Sequence, residues 1–163
     1  MLQDRVGSLL RQLGYTLATA ESLTGGLVGA QITSVPGASD YYLGGVISYA
    51  TGIKNSLLEV SSYILSSRGA VSEEAAAAMA MGVERLFGAS VGLSTTGVAG
   101  PTMQEGKPIG TLCISVSGPF GVHTKRLNGP DSSREIVRDW AAGEALSFLV
   151  ERLESASSQS PPK

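Results

Sequence analysis

The order of helical and strand patterns along the chain constrains its fold more than any other feature of the sequence. Leu2, Val6, Leu9 and Leu13 recur at helical spacing and predict a helix that opens the chain. Short apolar runs and further helical segments then follow in the order β-α-β-α-α-β-β-β-α. This order predicts an α/β fold: a single layered domain with a mixed β-sheet flanked by helices.

Caps, turns and glycine breaks set the expected boundaries. Strands are predicted at 16–20, 45–50, 89–96, 110–117 and 121–127, and later helices at 24–33, 52–60, 73–87 and 133–154. Gly118 and Pro119 predict a turn, so the last two strands should form an antiparallel hairpin. Ser72 is the expected N-cap of one helix, and Ser132 with Glu135 has the pattern of a capping box for the last.

The two ends of the chain carry different expectations. Residues 1–154 are expected to form one domain, because 163 residues suffice for one core but hardly for two. The tail 155–163 is polar and rich in serine and proline, and it is predicted to be disordered.

Composition excludes several function classes. The formal net charge is −2 and no Lys/Arg cluster is present, so no nucleic-acid partner is expected. No apolar run reaches the roughly 18 residues of a membrane span, and the N-terminus has no signal-peptide pattern. A cytoplasmic enzyme or binding protein without a membrane partner is the expectation.

The scarcity of cysteine and histidine limits the chemistry. Cys113 is the only cysteine and lies in an apolar run, so it is expected to be a buried small hydrophobe. His123 is the only histidine, which argues against a serine–histidine site and against a histidine-based metal site. Neither a metal nor another cofactor is expected.

Three segments place hydroxyl or charged side chains just after a predicted strand. They read 20-AESLTGG-26, 48-SYATGIK-54 and 94-STTGVAGP-101. In α/β sheets ligands gather at the carboxyl ends of strands, where such loops meet. Each segment alone is also typical of ordinary capping and turn chemistry, so the prediction of a site depends on the three together.

The residues in these segments suit a serine nucleophile that works without histidine. A lysine with a depressed pKa is the known substitute base, and Lys54 is available. Backbone N–H groups of Thr24, Gly25 and Gly26 at a helix N-terminus could stabilise an oxyanion or a phosphate. The glycine-rich loop from Gly97 to Gly100 could do the same from the other side.

The motifs also carry a resemblance. The segments above, together with 35-VPGASDYYLGGVISYATGIKNSLLEV-60, 69-GAVSEEAAAAMAMGVERLFGAS-90, 107-KPIGT-111 and 134-REIVR-138, occur in one order over about residues 5 to 150. In this the chain resembles the CinA C-terminal domain family, whose characterised enzymes are nicotinamide-nucleotide amidohydrolases. The resemblance implies an enzyme that converts nicotinamide mononucleotide to nicotinate mononucleotide and ammonia, without a cofactor.

The resemblance also implies roles for individual residues. Ser22 falls on the proposed nucleophile, Tyr49 on the tyrosine that ends the second strand, and Lys54 on the lysine five residues later. Thr96, and with it Gly97 and Gly100, falls on the T-G-x-A-G-P motif of the substrate site. Arg134 falls on an arginine suited to the substrate phosphate. The implied partners are a small-molecule pyridine nucleotide and further copies of the chain in a homo-oligomer.

Some positions depart from the family pattern. Leu23 stands where a small residue or cysteine is usual, Ala50 and Thr51 replace Ser-Asn, and residues 102–105 replace a glycine-rich loop. These departures leave the expected nucleophile and base in place but alter the expected shape of the substrate pocket.

Two alternatives follow from the residues. The chain could be a non-catalytic nucleotide-binding or interaction protein on the same fold, although the joint presence of Ser22, Tyr49 and Lys54 favours an enzyme. Within an enzyme, Tyr49 could hydrogen-bond both Ser22 and Lys54 and carry the proton between them. Lys54 could instead stay charged and stabilise an anion, with Tyr49 or water as the base.

Overall fold

A computed structural model of the chain describes residues 1–159 and has the predicted α/β architecture. The helices are α1 Leu2–Leu13, α2 Leu27–Thr33, α3 Thr51–Ser56, α4 Ser62–Ser67, α5 Glu73–Phe87 and α6 Arg134–Gln159, with a short 3-10 helix at Ala38–Asp40. The strands are β1 Leu17–Glu21, β2 Tyr42–Ile47, β3 Val91–Gly97, β4 Thr111–Gly118 and β5 Gly121–Asn128.

The five strands form one mixed sheet in the order β2-β1-β3-β4-β5. Strands β2, β1 and β3 are parallel, whereas β4 runs antiparallel to β3 and forms the predicted hairpin with β5. Because β1 alternates its side chains, Leu17 contributes to the core under α1, α2 and α6, while Ala18 and Ala20 pack with α5 on the opposite face.

Some predicted boundaries are wrong for local reasons. The second strand lies at Tyr42–Ile47, three residues earlier than predicted, and the 62–67 helix was not predicted at all. Ser72 does cap α5, since its hydroxyl accepts from the Ala75 N–H at 3.1 Å. Ser132 does not cap α6, because that helix begins at Arg134 and the adjacent Ser133 hydroxyl faces the Ile136 N–H at 3.4 Å.

The end of the chain also differs from the prediction. Helix α6 continues to Gln159, so residues 155–159 are helical rather than disordered, and Leu153 in its preceding turn is fully buried. Residues 160–163 of the predicted tail lie outside the described residues. Within residues 1–159, no helix combines the length and the apolar character that crossing a bilayer requires.

Candidate active site

The register of the sheet brings the three predicted segments to one edge. Glu21, the last residue of β1, pairs with Ile47 at the end of β2 and with Thr95 near the end of β3. The chain therefore leaves three parallel strands side by side, which places the next residues of each at the mouth of one pocket.

This pocket contains most of the residues that the sequence singles out. Its lining consists of Ser22, Leu23, Tyr49, Thr51, Lys54, Ala70, Val71, Thr96, Gly97, Ala99, Gln104 and Arg134. The departures Leu23 and Thr51 and the loop residue Gln104 are part of the wall, so they do shape the cavity.

Ser22 and Lys54 form the centre of the pocket. Lys54 Nζ lies 3.0 Å from Ser22 Oγ and donates a second hydrogen bond to the backbone carbonyl of Ser48 at 2.6 Å. Lys54 is only 2% exposed and Ser22 is 9% exposed. A lysine amine is thus held against a serine hydroxyl with little water around either group.

Burial changes the proton affinity of this amine. Desolvation lowers the pKa of Lys54 from 10.5 to about 8, and the negative charge of Glu105 opposes that shift. At pH 7 about one molecule in ten then carries a neutral Lys54 amine, which can accept a proton from the Ser22 hydroxyl.

The Gly-Gly pair shapes the tight turn that carries Ser22. Gly25 and Gly26 have φ values of 57° and 103°, which residues with a side chain rarely adopt. The turn is closed by a hydrogen bond from the Gly25 N–H to the Ser22 carbonyl at 3.0 Å, and the Ser22 N–H donates to Thr95 at 3.0 Å. The backbone therefore holds Ser22 just beyond β1.

The helix mouth itself is not free to bind an anion, which corrects one prediction. Glu21, 3% exposed, accepts hydrogen bonds from the N–H groups of Gly26, Val28 and Gly29 at 3.0, 3.1 and 2.8 Å. A carboxylate from the same motif therefore occupies the α2 N-terminus, and the amide of Gly26 is not available to a substrate.

Of the other backbone amides of this turn, one has an acceptor within the turn and two have none in the described part of the chain. The Gly25 N–H is used inside the turn, and the Thr24 side chain is buried against Thr95, with 2.8 Å between their hydroxyl oxygens. Within residues 1–159, no hydrogen bond uses the backbone N–H groups of Leu23 and Thr24. Of the three predicted donors, Thr24, Gly25 and Gly26, only the Thr24 N–H therefore has no acceptor among the residues that the structure describes, and the N–H of its neighbour Leu23 has none either.

Tyr49 lies at the pocket mouth and not between Ser22 and Lys54, which corrects a second prediction. Its hydroxyl accepts a hydrogen bond from Arg134 at 2.6 Å, and the residue is 60% exposed. The alternation after β2 explains this, since Ser48 is buried and its neighbour Tyr49 points outward. Because Lys54 contacts Ser22 directly, proton transfer between them needs no relay.

Arg134 spans the rim of the pocket. Besides Tyr49, its guanidinium donates to the Gly100 carbonyl at 2.5 Å. Both acceptors are neutral oxygens, so the positive charge is not cancelled by these bonds. Gly100 acts here through its carbonyl, which holds Arg134, and not through a wall position of its own.

Thr96 and Gly97 form the floor on the β3 side. The Thr96 hydroxyl is buried and donates to the Ala70 carbonyl at 2.7 Å. Thr96 therefore ties β3 to the loop before α5, and its oxygen keeps acceptor capacity toward the pocket.

Arg138 is a site residue that was not predicted, although it belongs to the motif 134-REIVR-138. Its side chain donates to the carbonyls of Leu23 and Thr24 at 2.9 and 3.2 Å. Arg134 and Arg138 are four residues apart in 134-REIVR-138, so they lie on one face of α6, and this spacing was the available signal. Arg138 anchors the turn that carries Ser22.

The remaining chemically reactive residues lie elsewhere. Cys113 is buried as predicted, and burial raises the pKa of its thiol to about 11. His123 lies on β5 with a ring nitrogen 3.1 Å from the Phe120 carbonyl. In the part of the chain that the structure describes, no group of three or more His, Cys, Asp or Glu side chains could hold a metal ion.

The fold and this site define an α/β protein with a buried serine–lysine pair at the carboxyl edge of a mixed sheet. The chain belongs to the CinA family, since the model of the CinA C-terminal domain matches residues 1–153.

Curated relatives carry the same family name. A CinA-like protein of Frankia casuarinae is 49% identical over 152 residues, which are 93% of this chain and 35% of that protein. A CinA-like protein of Synechocystis sp. is 46% identical over 154 residues, which are 93% of this chain and 37% of that protein. The chain thus spans about a third of the length of the curated relatives it matches.

Solved structures confirm the predicted fold class. A CinA superfamily protein from Klebsiella pneumoniae 700603 superposes with a TM-score of 0.91 at 31% identity, covering 94% of this chain and 96% of that one. The competence damage-inducible protein A (ComA) from Klebsiella pneumoniae MGH 78578 gives 0.90 at 32% identity, with 94% and 95% covered.

Proposed function

We propose that this protein is an amidohydrolase that deamidates nicotinamide mononucleotide to nicotinate mononucleotide and ammonia. The observation that carries the proposal is the 3.0 Å contact between Ser22 Oγ and the buried amine of Lys54, whose pKa is lowered to about 8. This contact supports acyl transfer from a carbonyl centre. The substrate class comes from the resemblance to the characterised amidohydrolases of the family.

The first half of the reaction uses the serine–lysine pair. Neutral Lys54 takes the proton from Ser22 while Oγ attacks the carboxamide carbon of the substrate. The Ser48 carbonyl holds one N–H of the amine at 2.6 Å, which directs the lone pair toward Ser22. Protonated Lys54 then gives that proton to the departing nitrogen, and ammonia leaves as the C–N bond breaks.

The second half returns the enzyme to its starting state. Lys54, neutral again, takes a proton from a water molecule that attacks the ester carbon of the Ser22 acyl-enzyme. The C–O bond to Ser22 breaks, Oγ regains a proton from Lys54, and nicotinate mononucleotide is released. The unused N–H groups of Leu23 and Thr24 are the proposed donors to the oxyanion in both steps.

Arg134 is the proposed contact for the 5′-phosphate of the substrate. It lies on the pocket wall, and the bonds to Tyr49 and Gly100 fix the direction of its guanidinium. Its charge is not neutralised by these partners, which favours a phosphate at the rim. Tyr49 is accordingly proposed to orient Arg134 and not to transfer protons.

Ammonia release from nicotinamide mononucleotide tests the proposal. The wild type is expected to release ammonia, and Ser22→Ala is expected to lose several orders of magnitude in kcat while it still binds the substrate. Ser66→Ala makes the same chemical change on exposed helix α4 and should retain full activity. Hydroxylamine should intercept the acyl-enzyme as a hydroxamate in the wild type only.

Other outcomes would contradict the proposal. Near-normal ammonia release by a folded Ser22→Ala protein would replace covalent catalysis by direct attack of water. Tight binding of the nucleotide by the wild type without any ammonia release would favour the non-catalytic nucleotide-binding alternative. Homo-oligomeric assembly and a cytoplasmic location stay predictions.

A further inference from the structure

One carboxylate joins the loop between β3 and β4 to the turn before α5, which lines the pocket. Glu105 accepts hydrogen bonds from two successive backbone N–H groups, those of Ala70 and Val71, at 2.8 and 3.0 Å. The two segments are 34 to 35 residues apart in sequence. A single side chain therefore joins the loop 98–110 to the turn at residues 69–71 before α5.

The backbone on both sides is adapted to this contact. Glu105 has a φ of 52°, a left-handed conformation that residues with a side chain rarely adopt. Gly69 has a φ of 88°, and a Cβ there would lie 2.3 Å from Glu105 Oε2. Glycine would adopt this conformation without strain, so a glutamate at position 105 carries a conformational cost.

The joined segments are walls of the pocket. Ala70 and Val71 from the turn and Gln104 from the loop all line the cavity that contains Ser22 and Lys54. Thr96 holds the Ala70 carbonyl from the other side at 2.7 Å. The turn is therefore held at its carbonyl by β3 and at its N–H groups by Glu105.

Glu105 also contributes to the electrostatics of the site. Its negative charge acts on Lys54 and partly offsets the desolvation of that amine. Arg134 from α6 and Tyr49 from the segment after β2 face the same pocket, and Lys107 lies 3.5 Å from the Glu105 carboxylate. Glu21 is committed to the N-terminus of α2 by three hydrogen bonds.

We propose that Glu105 is a positioning residue of this pocket, which clamps the loop 98–110 to the turn at 69–71 and so holds a negative charge beside the wall of the cavity that contains Lys54. The effect of Glu105 on catalysis rests on the proposed function, whereas the clamp and the charge do not. This role deepens that function by assigning the loop that departs from the family pattern a defined part in the site. Both of its consequences can be measured without substrate.

The charge is tested by titrating Lys54 in the full chain. In protein labelled with ¹³C-lysine, the Lys54 side-chain signal is assigned by its loss in Lys54→Met. Glu105→Gln removes the negative charge at nearly constant shape, so the pKa of Lys54 should fall below its wild-type value of about 8. Glu59→Gln is the matched control, because Glu59 also has a positive φ, 57°, but pairs with Arg85 on the surface. An unchanged or raised pKa in Glu105→Gln would overturn the electrostatic part.

The clamp is tested by amide hydrogen exchange. Glycine adopts the positive φ at position 105 without strain, so Glu105→Gly removes the carboxylate and leaves the backbone conformation possible. The amide hydrogens of Ala70 and Val71 should then exchange about tenfold faster or more, as expected for the loss of hydrogen bonds to a charged group. Glu59→Gly should leave both amides unchanged. If Glu105→Gly does not fold, Glu105→Gln gives the same test, since one acceptor oxygen in place of two should speed exchange at one of the amides.

The two possible failures are distinguishable. Wild-type exchange at Ala70 and Val71 in the folded Glu105 variants would overturn the clamp whatever the activity of the protein. If both substrate-free effects appear but no ammonia is released from nicotinamide mononucleotide, the role of Glu105 stands and the proposed reaction is wrong.

Discussion

Glu21 and Lys54 are the two charged side chains that the described part of the chain buries, and their surroundings differ in kind. Glu21 sits at the end of β1 with three backbone N–H donors of the α2 turn around its carboxylate. Lys54 sits on α3 with a serine hydroxyl and a backbone carbonyl as partners. One buried charge is satisfied by a helix end, whereas the other has only two neutral acceptors.

The difference separates a structural charge from a reactive one. A helix N-terminus supplies positive potential and matched donors, so the carboxylate of Glu21 is well hydrogen-bonded while it secures the turn that carries Ser22. The partners of Lys54 do not repay its desolvation, and its pKa falls to about 8. Burial of a charge is therefore informative about function only together with what the charge contacts.

The largest expected effect comes from removing the amine of Lys54, the buried charge with only neutral partners. Lys54→Met should lower kcat/KM for nicotinamide mononucleotide by roughly 10²–10⁴-fold, the usual range for a general base, and should abolish the acid limb of the pH profile. In the wild type that limb should report a pKa near 8, with activity rising as the amine loses its proton.

Lys54→Arg sharpens this result. Arginine keeps a positive charge but does not act as a base near neutrality, so the loss should match that of Lys54→Met. Substantial activity in the arginine variant would leave Lys54 with an electrostatic role only.

Removing the charge of Glu21, which is hydrogen-bonded by a helix end, should mainly lower the stability of the fold. In Glu21→Gln an amide NH₂ would face at least one N–H of the α2 turn, so we expect a loss of about 3 kcal/mol in the free energy of unfolding. Denaturant titration measures the change. Glu154→Gln is the control, since its exposed pair with Arg5 should contribute about 1 kcal/mol or less. Equal effects of the two substitutions would show that the buried Glu21 contributes no more to stability than an exposed ion pair.

The lowered pKa of Lys54 should also make the stability of the protein depend on pH. The pKa of Lys54 is about 8 in the folded chain and near 10.5 when unfolded, so between these values the unfolded chain binds a proton that the folded chain does not. The contribution of Lys54 to the free energy of unfolding should therefore rise with pH in this window. It should be lowest below pH 8, where the folded chain carries the buried charge.

Lys54→Met isolates that contribution. The variant lacks the titrating amine, so its stability relative to the wild type should fall as the pH rises from about 8 to 10.5, by on the order of 3 kcal/mol. Denaturant unfolding of both proteins across this range measures it, and a constant difference would contradict the lowered pKa.

The smallest expected effect concerns the charge at the pocket rim. Arg134→Ala should raise KM for nicotinamide mononucleotide by about tenfold, because a charge-assisted contact to phosphate is lost, with little change for the dephosphorylated riboside. Arg126→Ala on exposed β5 should change neither substrate. Equal weakening of both substrates by Arg134→Ala would reject the phosphate contact.

Local patterns predicted much of the fold because they act over a few residues. The five strands, the Ser72 cap and the β4–β5 hairpin follow from spacing, capping and turn chemistry. The cap of α6 was misplaced from Ser133 to Ser132, since neighbouring hydroxyls give the same sequence signal. The short 62–67 helix carries little periodicity, which is why it was missed.

The site was predicted in its residue types and only partly in its contacts. Ser22, Lys54, Thr96 and Arg134 do line one pocket, as the strand ends suggested. The sequence allowed Tyr49 to bridge Ser22 and Lys54, but Tyr49 contacts Arg134. It also allowed a substrate anion at the N-terminus of α2, but Glu21 occupies that position. These contacts depend on which way side chains point, which residue types alone do not specify.

The sequence by itself determined the layered α/β domain, the Gly-Gly turn that follows Ser22 and the presence of a lysine in place of a histidine base. Each of these follows from local conformational preferences or from residue identity. Only the tertiary structure decided that Lys54 is buried against Ser22, that Glu21 fills the α2 mouth and that Glu105 reaches the turn before α5. The reason is physical: desolvation and hydrogen-bond geometry arise between segments that are distant in the chain and meet only when the sheet has formed.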